Sequence, residues 1–118
     1  MPNSIPKTTV LLQAAMKYLE TELMPTLTGY HRFQTRVTVN VLNTVRRELE
    51  LRATQAEAEH ARLVAILDHD GEVEALSGEL ADRIRAGAIS IDDTALRAHV
   101  RQSLEDALAI NNPKWLTR

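Results

Sequence analysis

The segment "FQTRVTVNVLNTVRRELEL", residues 33–51, decides the fold class. Its first half is rich in Val and Thr, which favour strands, and its second half closes on Arg-Arg-Glu-Leu-Glu, which favours helix. Spacing separates the two readings. Phe33, Val37, Val41, Val45 and Leu49 recur every four residues, whereas strict alternation holds only across Val37, Val39 and Val41. Leu42, Val45 and Leu49 then break the two-residue period. A strand of this length would also be much longer than usual. β-branched residues lower helix propensity only modestly, and burial overrides that. The spacing predicts one buried helix from about Tyr30 to Leu51.

On that helix Arg36, Asn40, Asn43 and Arg47 fall at steps of four, three and four, one stripe beside the apolar row, with Glu48 adjoining. If Val39 and Leu42 are also covered, the helix is central and carries polar groups inside. Buried polar groups need hydrogen bonds and a buried arginine needs an acidic partner; Asp82, Asp92, Asp93 and Asp106 are available. Two readings share this pattern. Arg36, Asn40, Asn43, Arg47 and Glu48 line a ligand site, where an arginine fork clamps a carboxylate or phosphate. Or they form an ion-pair network or a solvated helix face.

Outward from this segment, apolar spacing predicts helices over about Lys7–Met24, Thr54–His69, Glu72–Ala86 and Thr94–Asn111. Their apolar rows are Leu12, Met16, Leu19 and Leu23; Ala56, Leu63, Ile66 and Leu67; Val73, Leu76, Leu80 and Ile84; and Leu96, Val100, Leu104 and Leu108. Pro25, Gly29, Gly71, Gly87 and Pro113 sit at the joints, and only Gly78 falls inside a helical pattern. Asp92 or Asp93 is placed to cap the last helix, and Gly87 to end the one before. The expected fold is all-α, a single-domain bundle of about five helices over 1–118, with an N-terminal arm at 1–6 and a C-terminal tail at 112–118 that carries Trp115.

The chain has 118 residues, one domain by size. A net charge of -2 gives no electrostatic reason to expect nucleic acid or an anionic membrane surface. No cysteine is present, which removes thiol chemistry and Cys-based zinc sites and fits a cytoplasmic setting. No run approaches the roughly 20 apolar residues of a membrane span, and the first residues do not read as a signal peptide. His31, His60, His69 and His99 never pair at the spacing that sets two ligands on one helix face. "DHD" at 68–70 reads as a charged helix end rather than a metal site. Ser4, Ser77, Ser90 and Ser103 have no neighbouring base in the sequence. No phosphate loop, HExxH or GxSxG occurs. No cofactor and no catalytic residue is expected.

Phe33, Arg36-Val37, Asn40, Leu42, Arg47-Glu48-Leu49-Glu50, Arg83-Ile84-Arg85, Gly87, Asp92-Asp93 and Asn112-Pro113 together resemble a small all-helical bacterial family of unknown function. The likeness runs from about the first helix to Pro113. It implies an accessory protein, encoded beside acyl-CoA dehydrogenases and aminoglycoside-phosphotransferase-like kinases, and it supplies no catalytic residues. The family pattern has a His after the Phe, where this chain has Gln34. The expected role is a non-catalytic accessory or protein–protein interaction module, homo-oligomeric or docked on an enzyme. The alternative is a small-molecule binding domain for an acyl, CoA-like or phosphorylated ligand, anchored by Arg36, Asn40 and Arg47. Nucleic acid and membrane are not expected partners.

Overall fold

The computed structural model describes residues 7–117, and the proposed arm at 1–6 lies outside them. All regular structure among these residues is helical: α1 (Thr8–Lys17), α2 (Gly29–Leu67), α3 (Val73–Arg85) and α4 (Thr94–Asn111). A π-helical stretch, Tyr18–Leu23, and a 3-10 turn, Met24–Thr26, follow α1, and a second 3-10 turn, Pro113–Thr117, follows α4. The all-α expectation therefore stands, with four α-helices rather than about five.

The difference arises at residues 52–54. The expected second and third helices are one helix of 39 residues. The apolar spacing lapses there, which suggested a joint, but "RATQAEAE" contains neither Gly nor Pro and is made largely of strong helix formers. Nothing in it stops the backbone. Along the Val- and Thr-rich start of α2 the threonine hydroxyls find acceptors one turn back within the helix. Thr35 donates to the His31 carbonyl at 2.7 Å and Thr38 to the Gln34 carbonyl at 2.8 Å. Where α2 does end, Asp68 adopts φ 62°, a left-handed conformation that Asp tolerates better than most residues.

The chain divides into two compact units, Met1–Arg52 and Ala53–Arg118. In the first, α1 and the first part of α2 bury Met16, Met24 and Val39, with Leu12, Leu19 and Leu42 packed around them. In the second, the end of α2 meets α3 and α4 over Leu63, Leu67, Leu76, Leu80 and Leu96, with Val64, Ile66, Val73, Ile84 and Ile89 alongside. Local signals set the ends of the helices here. The Asp93 carboxylate accepts from the Leu96 N–H at 2.9 Å and caps α4. Gly87, at φ 77°, takes the left-handed position just past α3, where an L side chain is strained. Among the described residues no helix is long and apolar enough to cross a membrane.

Two expected apolar rows face differently from expectation. The row Phe33, Val37, Val41, Val45 and Leu49 is exposed, Phe33 at 60% and Val41 at 56%, whereas Val39 is buried at 3%. Each helical residue turns 100°, so Val39 lies on the side of α2 opposite Val41, the centre of the row, and half-buried Leu42 lies at its flank. Both sides are apolar, and α1 covers one. On α4, Leu96, His99 and Ile110 are buried while Val100 and Leu104 are exposed.

Candidate functional site

The polar stripe of α2 forms as a helical stripe, and its members bond chiefly along their own helix. Arg36 and Asn40 are exposed; Asn43 and Arg47 are half-buried. The Asn43 carbonyl oxygen accepts from Arg46 Nε at 3.3 Å and Nη2 at 3.2 Å, and Arg46 also pairs with Glu50 at 3.2 Å. Arg47 Nη2 donates to the Thr44 hydroxyl at 3.3 Å. Glu48 turns away from the stripe to Arg52, at 2.7 Å. The four aspartates named as partners for a buried arginine are engaged elsewhere. Asp82 pairs with Arg85, Asp92 with Arg97, Asp93 caps α4, and Asp106 lies in the second unit near Arg62. Arg46, rather than Arg36, is the residue whose guanidinium the fold ties down.

The better-connected polar cluster lies in the second unit. Arg62 Nε donates to His99 Nδ1 at 3.0 Å. Its Nη2 reaches the Ser103 hydroxyl at 3.4 Å and stands 3.9 Å from the Asp106 carboxylate. Gln55 donates to the Asp106 backbone carbonyl at 3.0 Å. His99 is only 7% exposed. Arginine has no acceptor, so Nδ1 must be the unprotonated nitrogen and the proton sits on Nε2. Burial first, and then the Arg62 charge, holds His99 below the ordinary histidine value, with Glu59 acting the other way. The ring is therefore a neutral donor at pH 7. The sequence held a signal for this cluster. His99, Ser103 and Asp106 recur at steps of four and three on α4, and Gln55, Glu59 and Arg62 at steps of four and three on α2, two polar rows whose pairing the sequence does not give.

His99 and Ser103 line one side of a shallow groove between α3 and α4, shared with Ser77, Leu80, Ile84 and Val100. A wider groove of about 790 Å³ continues over Ile84, Leu96, Val100 and Leu104 and carries Arg97 and Arg101. The Arg97 guanidinium is held by the Ile91 carbonyl at 3.0 Å and Asp92 at 3.2 Å.

The turn between α2 and α3 gathers two more histidines, His60 and His69. His60 Nε2 meets Asp70 at 2.8 Å. His69 faces an acceptor with each nitrogen: Nδ1 the Asp70 carbonyl at 3.0 Å, Nε2 the Glu79 carboxylate at 2.8 Å. Both bonds favour the doubly protonated ring, so His69 is raised from its ordinary value, mainly by Glu79, and Glu79 is lowered mainly by His69. Each of these groups already has its partner in another, and no three His, Asp or Glu side chains among the described residues converge as metal ligands.

The geometry so far is that of an all-α chain with one buried neutral imidazole, an open groove and an uncovered apolar helix face. The chain belongs to a family described as a domain of unknown function, DUF6285, whose pattern it matches over residues 25–115. No curated protein and no solved structure matches it.

Proposed function

We propose that this chain is a non-catalytic interaction module whose contact surface is the outer side of α2 in the first unit. The observation that carries the reading is the exposure of Tyr30, Phe33, Val37, Val41, Val45 and Leu49 together on one side of a helix whose opposite side is already packed. By side-chain size these residues present roughly 500 Å² of largely apolar surface, at the upper end of what a monomer leaves bare. Burying that face releases water from it, which drives association. A second copy and an enzyme are the two classes of partner. The enzyme implied by the family resemblance is an acyl-CoA dehydrogenase or a phosphotransferase-like kinase.

Hydroxyl-radical footprinting tests the surface whatever covers it. In lysate of cells that make each protein, Tyr30 and Phe33, normalised to exposed Tyr18, are expected to be several-fold less reactive in wild type than in Val41→Glu. Equal reactivity contradicts the reading.

A second reading, small-molecule binding, is favoured by one observation: His99 Nε2–H has no protein partner among the described residues, and His99 lines the α3–α4 groove. An amphiphile with an accepting head group, such as an acyl carboxylate, suits a donor beside Leu96, Val100 and Leu104 with Arg101 at the edge. Arg36, Asn40 and Arg47 are the competing anchors on α2. A thermal-shift series with carboxylates and phosphate esters on wild type, His99→Gln and Arg36→Ala separates them. A midpoint unmoved by every ligand in wild type removes this reading.

A further inference from the structure

The outer row of α2 has an internal symmetry. Val41 is its centre, Val37 and Val45 lie four residues to either side, and Phe33 and Leu49 eight. The flanking positions repeat the pattern: Thr38 and Thr44 at three, Gln34 and Glu48 at seven, Tyr30 and Arg52 at eleven. Resting on the interaction reading above, we infer that the partner of this face is a second copy of the chain, paired antiparallel about a two-fold axis through Val41.

Three observations carry this. The first is self-complementarity. A two-fold interface brings residue 41+k of one copy against 41−k of the other. Val45 then meets Val37, Leu49 meets Phe33, and Thr44 meets Thr38. A row at spacing four is the ridge that interdigitates with an identical ridge when two helices cross. Crossing helices are closest at the centre and diverge outward. The slim valines lie at the centre and the bulkier Phe33 and Leu49 at the ends.

The second is charge. Antiparallel pairing sets Glu48 opposite Gln34, and Arg52 opposite the ring of Tyr30, where a guanidinium stacks favourably. Arg52 pairs with Glu48 through one nitrogen at 2.7 Å and is exposed. Parallel pairing would set Glu48 against Glu48 and Arg52 against Arg52, and like charges across an interface are penalised.

The third is area. Roughly 500 Å² per copy gives about 1,000 Å² across the pair, and the polar flanks at Gln34, Thr38, Thr44, Glu48 and Arg52 bring it into the range of about 1,200–2,000 Å² of stable interfaces.

The test uses the full chain, whose lack of cysteine permits single labels without background. Cysteines at Gln34, Thr38, Thr44 and Glu48, each spin-labelled alone, flank the row without replacing it. The inference predicts a symmetric profile. A label at 38, or at 44, sits roughly 9 Å along the seam from its own copy and broadens strongly, whereas one at 34, or at 48, sits roughly 20 Å from its own copy at 1.5 Å per residue. Four short and equal distances mean a parallel pair; this overturns the antiparallel arrangement and leaves the contact surface standing. A doubled mass with all labels beyond about 40 Å overturns both. A single-chain mass at every concentration overturns the second copy as partner. The footprint of Tyr30 and Phe33 in lysate then decides the surface: protection assigns it to a different protein, and full reactivity ends that reading too. Val41→Glu, placed where the single chain is exposed, is expected to abolish the dipolar signal at all four positions while keeping the helical circular dichroism.

Discussion

In the unit Ala53–Arg118, five leucines from three helices meet in one buried cluster with further apolar neighbours on α2, α3 and the α3–α4 link. In Met1–Arg52 the buried set is two methionines and a valine between α1 and one side of α2. The other side of that same stretch of α2 is equally apolar and stands in solvent. The contrast is one of closure. Three helices can enclose a core among themselves, whereas a helix pair leaves the outer side of each member bare. Methionine adds to the difference, because its flexible chain fills space without fixing neighbours as branched side chains do. Valines on an exposed helix face slightly disfavour helix and gain nothing from burial within the chain, which fits the contact surface proposed above.

Substitutions sharpen the comparison. Leu63→Ala, at a site with no exposure, is expected to lose about 3 kcal/mol by the measured cost of leucine truncation in closed cores. Val39→Ala in the first unit removes fewer carbons from a looser cluster and is expected to lose about 1.5 kcal/mol. Urea denaturation reads both, and a loss at Val39 equal to that at Leu63 would mean the first unit is as closed as the second. Asp93→Ala removes the α4 cap and is expected to lose about 1 kcal/mol. Gly78→Ala meets nothing within 4 Å and is expected to gain up to about 1 kcal/mol, with no change in oligomeric mass.

The second unit also carries two histidines of opposite sign. His99 is depressed in the fold, so its contribution is complete above the unfolded value of 6.5 and is lost as pH falls toward the folded value. His69 is raised, so its contribution is complete below 6.5 and is lost as pH rises through the folded value. Between pH 7.5 and 5, above the range of Asp70 and Glu79, wild type is expected to lose more of its thermal midpoint than His99→Gln does. Parallel curves for the two proteins would show that His99 is protonated in the fold as readily as out of it. Amide protection at residues 68–72, corrected for intrinsic exchange, is expected to fall as pH rises above 6.5 and His69 gives up one of its two bonds.

The helical class was legible in the four-residue spacing of Phe33 to Leu49, and the ends of α3 and α4 in Gly87 and Asp93. The continuity of α2 was not, because a lapse in apolar spacing at residues 52–54 looks the same whether the backbone stops or runs on with a polar face. The exposure of the row was also hidden. Periodicity identifies an apolar side of a helix but not what lies against it, and a helix with two such sides gives two periodic signals with nothing in the sequence to say which is covered within the chain. The stripe Arg36, Asn40, Asn43 and Arg47 was legible as a stripe, and its local bonding to Arg46 and Thr44 was not. The Arg62–His99 contact joins residues 37 apart, and tertiary folding alone supplies it.

Sedimentation equilibrium of wild type and Val41→Glu over a hundredfold range of concentration puts the account to its most direct trial. With a chain mass of 13.2 kDa, wild type is expected to approach twice that value as concentration rises, and the variant to hold at 13.2 kDa throughout. A wild-type mass of 13.2 kDa at every concentration, or a variant that doubles as readily as wild type, contradicts it.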